Sequence, residues 1–417
     1  MSSRSFRIYI ALALGLALTG VWVNSRSSQK QETSSTESST KEQGKSAATG
    51  TELKLKATRA GALSGESAGQ QGARLLREAG DLLNSAQMKE LRALDFKKPE
   101  DLERIRHLRH TPEFLLWRQL IRDTIACGAV DWGMTTKQLL ESGMSEWGLQ
   151  RETINLLSSL SVLESKEGDI SCKSLLEAMK LNQILNKPDS WIQQLIGIAC
   201  NGVVNSKVAD HLGQASPEAL DLMEESLKSA SKQISSDCLQ TFQGECQFIG
   251  ESLADSDSVA QESEELQKFL KDPQNLKSLQ DHWAKTSIQI KEDWDKAQDW
   301  QQRKEALDTA EKNWEHFSQL NADPAIAAEI KTFMAFSGGV LGKVLDSEAR
   351  RQSTLAAIQI EQFRRANGRL PASLEEAGWT GYGEATGRAM NYEVKDGKAV
   401  ISTAQEVGAN KTNEIKW

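Results

Sequence analysis

The stretch from Leu149 to Leu212 reads LQRETINLLSSLSVLESKEGDISCKSLLEAMKLNQILNKPDSWIQQLIGIACNGVVNSKVADHL. Its apolar residues recur at intervals of three and four, which is the period of an α-helix. Gly168-Asp169 and Lys187-Pro188-Asp189-Ser190 interrupt the pattern, so three helices are predicted, over about 151–166, about 170–185 and from Trp191 onward. Because the breaks are short, neighbouring helices should fold back on each other.

The rest of the chain predicts more helix packed on this block. The expected fold class is therefore mainly α, a bundle of antiparallel helical hairpins with a small C-terminal β-hairpin. The central hairpins loosely resemble tetratricopeptide hairpins, but the sequence lacks a clean 34-residue period and the usual pattern of small and aromatic residues.

Residues 1–26 predict a membrane anchor. Arg4 and Arg7 precede an apolar run of sixteen residues over 8–23, which is long for a signal peptide core and slightly short for a full span. The favoured interpretation is an uncleaved signal anchor, with the arginines on the cytoplasmic side of a bacterial inner membrane and the body facing the periplasm or exterior. The alternative is a signal peptide that is cleaved, so that the body is secreted.

Residues 27–73 are rich in Ser, Thr, Glu and Lys, and are expected to form a disordered tether, because they hold too little apolar surface to offset the entropy of ordering. The all-α body is expected over 74–378. The acidic, Ser-rich stretch 253–265 is the one candidate for an internal boundary, and 379–417 should form the hairpin and a C-terminal tail.

The charge balance argues against a nucleic acid partner. The formal net charge is −8 at pH 7, with 58 acidic and 50 basic residues among 417. Nucleic acid recognition needs a basic face, which this composition does not favour.

The five cysteines suggest one candidate disulfide. None forms a C-x-x-C motif, and no histidine lies at zinc-site spacing beside them. If the second and third helices are antiparallel around Pro188, Cys172 and Cys200 lie at similar distances from the turn. They are the best candidate pair in an oxidising compartment, and buried free thiols are the alternative.

No catalytic, cofactor-binding or metal residue is assigned. H-E-x-x-H, Walker A, G-x-G-x-x-G and EF-hand patterns are all missing from the sequence. His107 and His110, with Glu103 a turn earlier, could form a row that binds a metal weakly. Three neighbouring arginines would repel a cation, so a solvated helix face is the favoured interpretation.

Two further stretches bear on packing. Apolar residues from Leu276 to Ala297 form a narrow seam on a long helix, which fits packing within the chain or a coiled-coil contact with a second copy or partner. Ser337-Gly338-Gly339 is expected to interrupt the helical apolar run 333–345.

The tail carries strong local signals. A helix from Ser347 should end at Asn367-Gly368. A short helix should follow Pro371, with Ser373 and Glu376 as a capping box. Asp396-Gly397 lies between two β-prone runs and predicts a hairpin with a type I′ turn, which needs two positive φ angles.

This tail resembles a segment of many exported bacterial proteins, and type II secretion pseudopilins have a similar turn. The matching residues are Gln362-Phe363-Arg364, Gly368-Arg369-Leu370-Pro371 and Ser373-Leu374-Glu375-Glu376. The chain departs from pseudopilins because no processing site precedes the apolar run and no acidic calcium loop is recognisable. It is therefore not identified as a pilin.

The body as a whole resembles uncharacterised, membrane-anchored helical proteins of bacterial envelopes. The resemblance lies in Trp132-Gly133, the Gly168-Asp169 turn and the run from Trp191 to Ala199. It implies a helical fold and an envelope location, and it supplies no activity and no catalytic residues.

Two functions fit these features. The first is a non-enzymatic interaction or scaffold module of the envelope, anchored through residues 8–23, that holds a protein partner or self-associates. The second is an envelope hydrolase whose site is built from scattered residues. A helical fold by itself is compatible with both.

Overall fold

The computed structural model describes residues 65–134, 145–185, 191–231, 272–297, 324–379, 390–404 and 412–416, with isolated positions between 241 and 313. The chain is mainly helical with a small antiparallel sheet near the C-terminus, which confirms the predicted fold class. The described residues divide into an N-terminal unit that ends at Gly133 and a C-terminal unit that begins at Met134. The predicted anchor, most of the predicted tether and the candidate boundary at 253–265 lie outside the described residues.

The described part of the N-terminal unit consists of four helices: α1 (Ala68–Leu83), α2 (Ala86–Ala93), α3 (Pro99–Leu108) and α4 (Pro112–Cys127). Because α1 begins at Ala68, the helical body starts six residues before the predicted boundary at Arg74. A sequence signal explains this early start: Ser67 and Gln70 cap α1 reciprocally, as a capping box does.

Local signals set the ends of the other helices in this unit. Pro99 and Pro112 occupy first-turn positions, where the missing N–H has no cost. Gly128 ends α4 with a φ of 69°, the left-handed conformation that glycine adopts without strain. The core between α1 and α4 includes fully buried Leu75, Leu76, Leu83, Trp117 and Ile121.

The C-terminal unit contains six described helices: α5 (Ser145–Lys166), α6 (Lys173–Leu185), α7 (Trp191–His211), α8 (Pro217–Ser231), α9 (Pro273–Lys296) and α10 (Pro324–Asn367). The first three are the helices predicted in the central stretch, although α5 starts six residues earlier than expected. Trp147 and Gly148 lie inside α5, and Trp147 is 2% exposed, so its side chain belongs to the core of this unit.

Hydrogen bonds between helix ends show the up-and-down order of this unit. Glu164 near the end of α5 contacts Ser174 at the start of α6, so these helices are antiparallel. His211 at the end of α7 contacts Ser161 near the end of α5, so α7 runs parallel to α5. The predicted reversal at each short break is confirmed by these contacts.

Helix α10 is the centre of the C-terminal unit. It runs unbroken through Gly338 and Gly339, so the expected interruption there is wrong. It packs against α7, α8 and the sheet, and all six residues from Ser353 to Ile358 are buried. Six consecutive residues cover all faces of a helix, so this part of α10 lies inside the core. Its sequence therefore does not show the separate apolar and polar faces of a surface helix.

The sheet contains β1 (Met390–Lys395), β2 (Lys398–Ala404) and β3 (Thr412–Lys416) in the order β1-β2-β3. The hairpin around Asp396-Gly397 is confirmed, with φ angles of 51° and 75° at the two turn residues. The third strand was not predicted, and it pairs antiparallel with β2.

Two expectations for later segments are met only in part. After Pro371 the chain makes a single hydrogen-bonded turn that ends at Gly378 instead of a short helix. In the predicted seam on α9, Ile290 and Trp294 are 1% and 4% exposed, which agrees with packing inside the chain at those positions. The side chains at 276, 279 and 283 lie outside the described set.

Candidate functional site

Polar side chains of the C-terminal unit, most of them buried, gather where α5, α6, α7 and α10 end or begin. We call Ser161, Glu164, Ser174, His211 and Arg365 the helix-end junction. The carboxylate of Glu164 accepts from the Ser174 backbone N–H at 3.0 Å and from its hydroxyl at 2.6 Å. Glu164 is 7% exposed, and its charge lies at the positive end of α6, where an anion is stabilised.

His211 is oriented by the backbone of a neighbouring helix. Its Nε2 lies 2.9 Å from the carbonyl oxygen of Ser161, and a carbonyl only accepts, so Nε2 carries the proton. The ring is 3% exposed. A general base must reach the proton that it abstracts from a substrate, whereas the His211 ring is buried and donates to a main-chain carbonyl. This hydrogen bond holds α7 against α5.

Arg365 joins α10 to the connection between α7 and α8. Its two terminal nitrogens donate to the carbonyl oxygens of Leu212 at 2.9 Å and Ala215 at 2.6 Å. Its Nε donates to Glu361 at 2.7 Å, and Arg364 donates to both oxygens of the same carboxylate at 2.7 Å. The fully buried carboxylate of Glu361 therefore holds two arginines, one of which satisfies carbonyls just beyond the end of α7.

Burial by itself would raise the pKa of Glu361. The hydrogen bonds and positive charges of Arg364 and Arg365 outweigh burial, and the pKa lies below its ordinary value. Glu361 is thus ionised at neutral pH, and its carboxylate holds both arginines in place.

A second group of residues fastens the sheet to the end of α10. We call Phe363, Arg369, Pro371, Glu376 and Tyr392 the C-terminal clasp. The guanidinium of Arg369 lies 5.3 Å from the centre of the Phe363 ring and pairs with the Glu376 carboxylate. Tyr392 of β1 donates its hydroxyl hydrogen to the Pro371 carbonyl at 2.9 Å.

The clasp explains the residues that resemble the pseudopilin-type turn. Glu376 also accepts from the backbone N–H of Ala372, while the Ser373 hydroxyl accepts from the Glu376 N–H at 3.3 Å. In the predicted capping box the Glu376 carboxylate would accept from the Ser373 N–H, and it accepts from the Ala372 N–H instead. The other hydrogen bond of the box is formed as predicted. Arg369, Ser373 and Glu376 contact other parts of this turn and so stabilise the junction between helix and sheet, whereas Gln362 of the motif donates to Asp221 on α8.

We expect Tyr392→Phe to loosen the sheet. Burial, and then the charge of Glu376, raise the pKa of the Tyr392 phenol, which keeps it protonated as a donor. Removing the hydroxyl should reduce the free energy of unfolding by about 1 kcal/mol, the usual contribution of one hydrogen bond. Hydrogen exchange of the amides in 390–404 should accelerate, and unchanged exchange would show that the hydroxyl does not fasten β1.

The candidate disulfide between Cys172 and Cys200 is not formed in the structure, where both are free and buried. Cys172 lies sixteen residues before Pro188 and Cys200 lies twelve after it, so their offset is about 6 Å along antiparallel helices. Cys172 also precedes α6, with its thiol 3.7 Å from the Ile170 carbonyl. Of the remaining cysteines, Cys127 is a half-buried free thiol and the other two lie outside the described residues.

We expect these buried thiols to react slowly with alkylating reagents. Burial, with Glu164 and Asp169 nearby, raises the pKa of Cys172 to about 11, and burial raises that of Cys200 to about 12. Since the thiolate is the reactive form, only about 0.1% of Cys172 is reactive at pH 8, roughly a hundredfold less than an ordinary thiol.

Mass spectrometric mapping after brief alkylation should rank Cys127 above Cys172 and Cys172 above Cys200. All three should react fully in denaturant. A linked peptide containing Cys172 and Cys200 from unreduced protein would contradict this order and support the predicted bridge.

The predicted histidine row on α3 is divided by the end of that helix. His107 lies in the last turn, while His110 lies beyond the C-cap at Arg109, and both are exposed. Glu103 pairs with Arg106. Among the described residues, no group of three or more His, Cys, Asp or Glu side chains is arranged to hold a metal ion.

The segment Val130-Asp131-Trp132-Gly133, after the end of α4, forms a turn that the Asp131 side chain closes. Asp131 accepts from the Gly133 N–H at 2.9 Å, and Gly133 has a φ of 63°. Arg77 lies 5.1 Å from the centre of the Trp132 ring and donates to the Trp132 carbonyl. The turn therefore packs on α1 within the N-terminal unit.

Within the described part of the chain, no helix combines the length and apolar character that a membrane span needs. The apolar run over residues 8–23 is not among the described residues.

No family model matches the chain, and neither a curated protein nor a solved structure matches it.

Proposed function

We propose that this protein is an interaction or scaffold module of the bacterial cell envelope, anchored in the inner membrane by residues 8–23. In this proposal the helical body faces the periplasm or exterior and holds a protein partner or a second copy. The orientation is supported by Arg4 and Arg7 on the cytoplasmic side of the apolar run. The resemblance to membrane-anchored helical envelope proteins supports the same location.

One observation carries the proposal: the buried charged and ring side chains described above are engaged in holding helix ends and the sheet together. Glu164 caps α6, Glu361 pairs with two arginines, and His211 donates to a carbonyl. A catalytic carboxylate or histidine must instead present a base or acid to a substrate. The surfaces left for binding are the exposed helix faces, which suit a protein partner.

Chemical cross-linking followed by affinity capture from solubilised envelopes tests this proposal. The full-length anchored protein is the bait, and a chain of residues 1–66 is the control that keeps the anchor region and ends before the N-cap of α1. We expect one reproducible protein species with the full-length bait and none with the control. Equal recovery with both baits would overturn the proposal, because the membrane segment would then account for the capture.

Protease added to intact spheroplasts tests the orientation. The body should be degraded while cytoplasmic proteins survive. If the body resists until the membrane is broken, the orientation is wrong.

A further inference from the structure

Strand β1 forms one edge of the described sheet. The strand order is β1-β2-β3, so β2 is paired on both sides while β1 is paired with β2 alone among the described strands. The pairing is regular from Met390 opposite Thr403 to Lys395 opposite Lys398, with no bulge. A regular edge strand presents a row of backbone donors and acceptors to any strand that approaches.

The hairpin register shows which backbone groups face outward. In a two-residue hairpin the residues that flank the turn, here Lys395 and Lys398, form a hydrogen-bonded pair, and such pairs alternate along the ladder. Glu393 and Asn391 therefore bond to β2. The N–H and C=O groups of Val394, Tyr392 and Met390 point away from β2, toward the open edge.

The usual protections of an edge strand are weak in β1. It contains no proline and no bulge, and the charge of Lys395 is paired with Glu393 on the same strand. Val394 is 48% exposed, although it lies on the strand face that carries the largely buried Met390. An exposed valine beside backbone groups that point outward is typical of a strand that pairs with another strand.

We propose that β1 pairs antiparallel with β1 of a second copy of this chain, with Tyr392 opposite the partner's Tyr392. A twofold axis makes this contact self-complementary. Met390 then lies opposite the partner's Val394 and covers it. The three outward residues of each strand form hydrogen-bonded pairs across the axis, each exchanging two bonds.

Charge favours this register over one of its two neighbours. Here Glu393 lies opposite the partner's Asn391, a neutral hydrogen-bonding side chain. Of the two antiparallel registers displaced by two residues, one places Glu393 opposite the partner's Glu393, and like charges directly opposite each other are destabilising. The inference concerns the sheet alone and does not depend on the proposed function of the body.

A proline substitution tests the contact. Val394→Pro removes an N–H that β2 does not use, so the hairpin should be retained while the contact between copies is lost. Val394→Thr keeps the N–H and is the matched control. By sedimentation of the full chain in detergent, wild type and Val394→Thr should be dimers, and Val394→Pro should associate at least about tenfold more weakly.

Unchanged far-ultraviolet circular dichroism would show that the helices of Val394→Pro are folded, and unchanged hydrogen exchange of the amides in 398–404 would show that its hairpin is retained. A wild-type protein that remains monomeric at about 100 μM, the weak end of specific association, would overturn the proposal. A Val394→Pro protein that dimerises as the wild type does would overturn it as well, because the contact would then lie elsewhere.

Cysteine cross-linking tests the register and does not require the proline variant to fold. Asn391→Cys and Glu393→Cys combined in one chain place each new thiol opposite the partner's other new thiol. Under mild oxidation the double variant should form a disulfide-linked dimer, and either single variant should not. Equal cross-linking of the single and double variants would overturn the register.

Discussion

Gly72→Ala should unfold the N-terminal unit or leave it marginally stable. A Cβ built at Gly72 would lie 2.2 Å from the Ala129 carbonyl oxygen and 3.3 Å from its carbon. Both are backbone atoms, which cannot rotate away as the end of a side chain can. Overpacking of this kind costs roughly 3 kcal/mol, well above the helix propensity gained by replacing glycine.

The close approach arises from the segment that follows α4. After Gly128 the chain returns along α1, and the Asp131 N–H donates to the Gly69 carbonyl at 2.8 Å. Any Cβ at Gly72 would push this segment away from α1 and break that bond. Hydrogen exchange measured across residues 65–133 should therefore show accelerated exchange in both α1 and the returning segment.

Gly148→Ala is the matched control. Gly148 also lies inside a helix, but a Cβ there would have no atom within 4 Å. The change should therefore stabilise the protein by about 0.5–1 kcal/mol through helix propensity. Equal stability of Gly72→Ala and wild type would show that Ala129 does not lie against α1.

Glu361→Ala should be the most damaging single change in the C-terminal unit. It would leave Arg365, whose side chain is 27% exposed, and Arg364 without their shared carboxylate. Removing one partner of a buried ion pair costs about 3–5 kcal/mol, and the lower end applies because Arg364 is 44% exposed and screened by water. The Leu212 and Ala215 carbonyls that Arg365 holds would lose a fixed donor, so the end of α7 should exchange faster.

Protonation of Glu361 at low pH should destabilise the protein in the same way as Glu361→Ala, although less strongly. The pKa of Glu361 is below its ordinary value of 4.5, so its contribution to stability is present above about pH 4.5 and is lost as pH falls through the lowered pKa. Denaturant midpoints from pH 7 to pH 3 should fall for wild type, with a smaller slope for Glu361→Gln at the acid end. Equal slopes would show that Glu361 does not titrate in this way.

Glu225→Ala is the control for the Glu361 substitutions. Glu225 lies on the exposed face of α8, and surface substitutions away from special features change stability by within about 0.5 kcal/mol. A large effect of Glu225→Ala would indicate that loss of any carboxylate is harmful, and the specific role of Glu361 would then not hold.

Several features follow from the sequence alone because they depend on a few adjacent residues. The start of α4 at Pro112 and its end at Gly128 need only the geometry of proline and glycine. The hairpin at Asp396-Gly397 needs two adjacent residues that tolerate positive φ. The three central helices follow from a repeating apolar period that no other regular structure satisfies.

The helix-end junction and the C-terminal clasp could be predicted only in part. The residues of the turn from Gly368 to Glu376 are visible as a motif, and the Ser373 cap is a local signal. The pairing of Tyr392 with Pro371 spans 21 residues, and that of Arg365 with the Leu212 carbonyl spans 153. No local pattern in the sequence indicates such partners.

What the sequence determined by itself is the three central helices with their short reversals, the ends of α4 and the hairpin, because each depends on backbone preferences over a few residues. The tertiary structure alone decided that Gly72 faces a backbone carbonyl and that Glu361 is buried between two arginines. These properties depend on distances between segments that are far apart in the chain. Such distances result from how the helices pack, and they leave no periodic signal in the sequence.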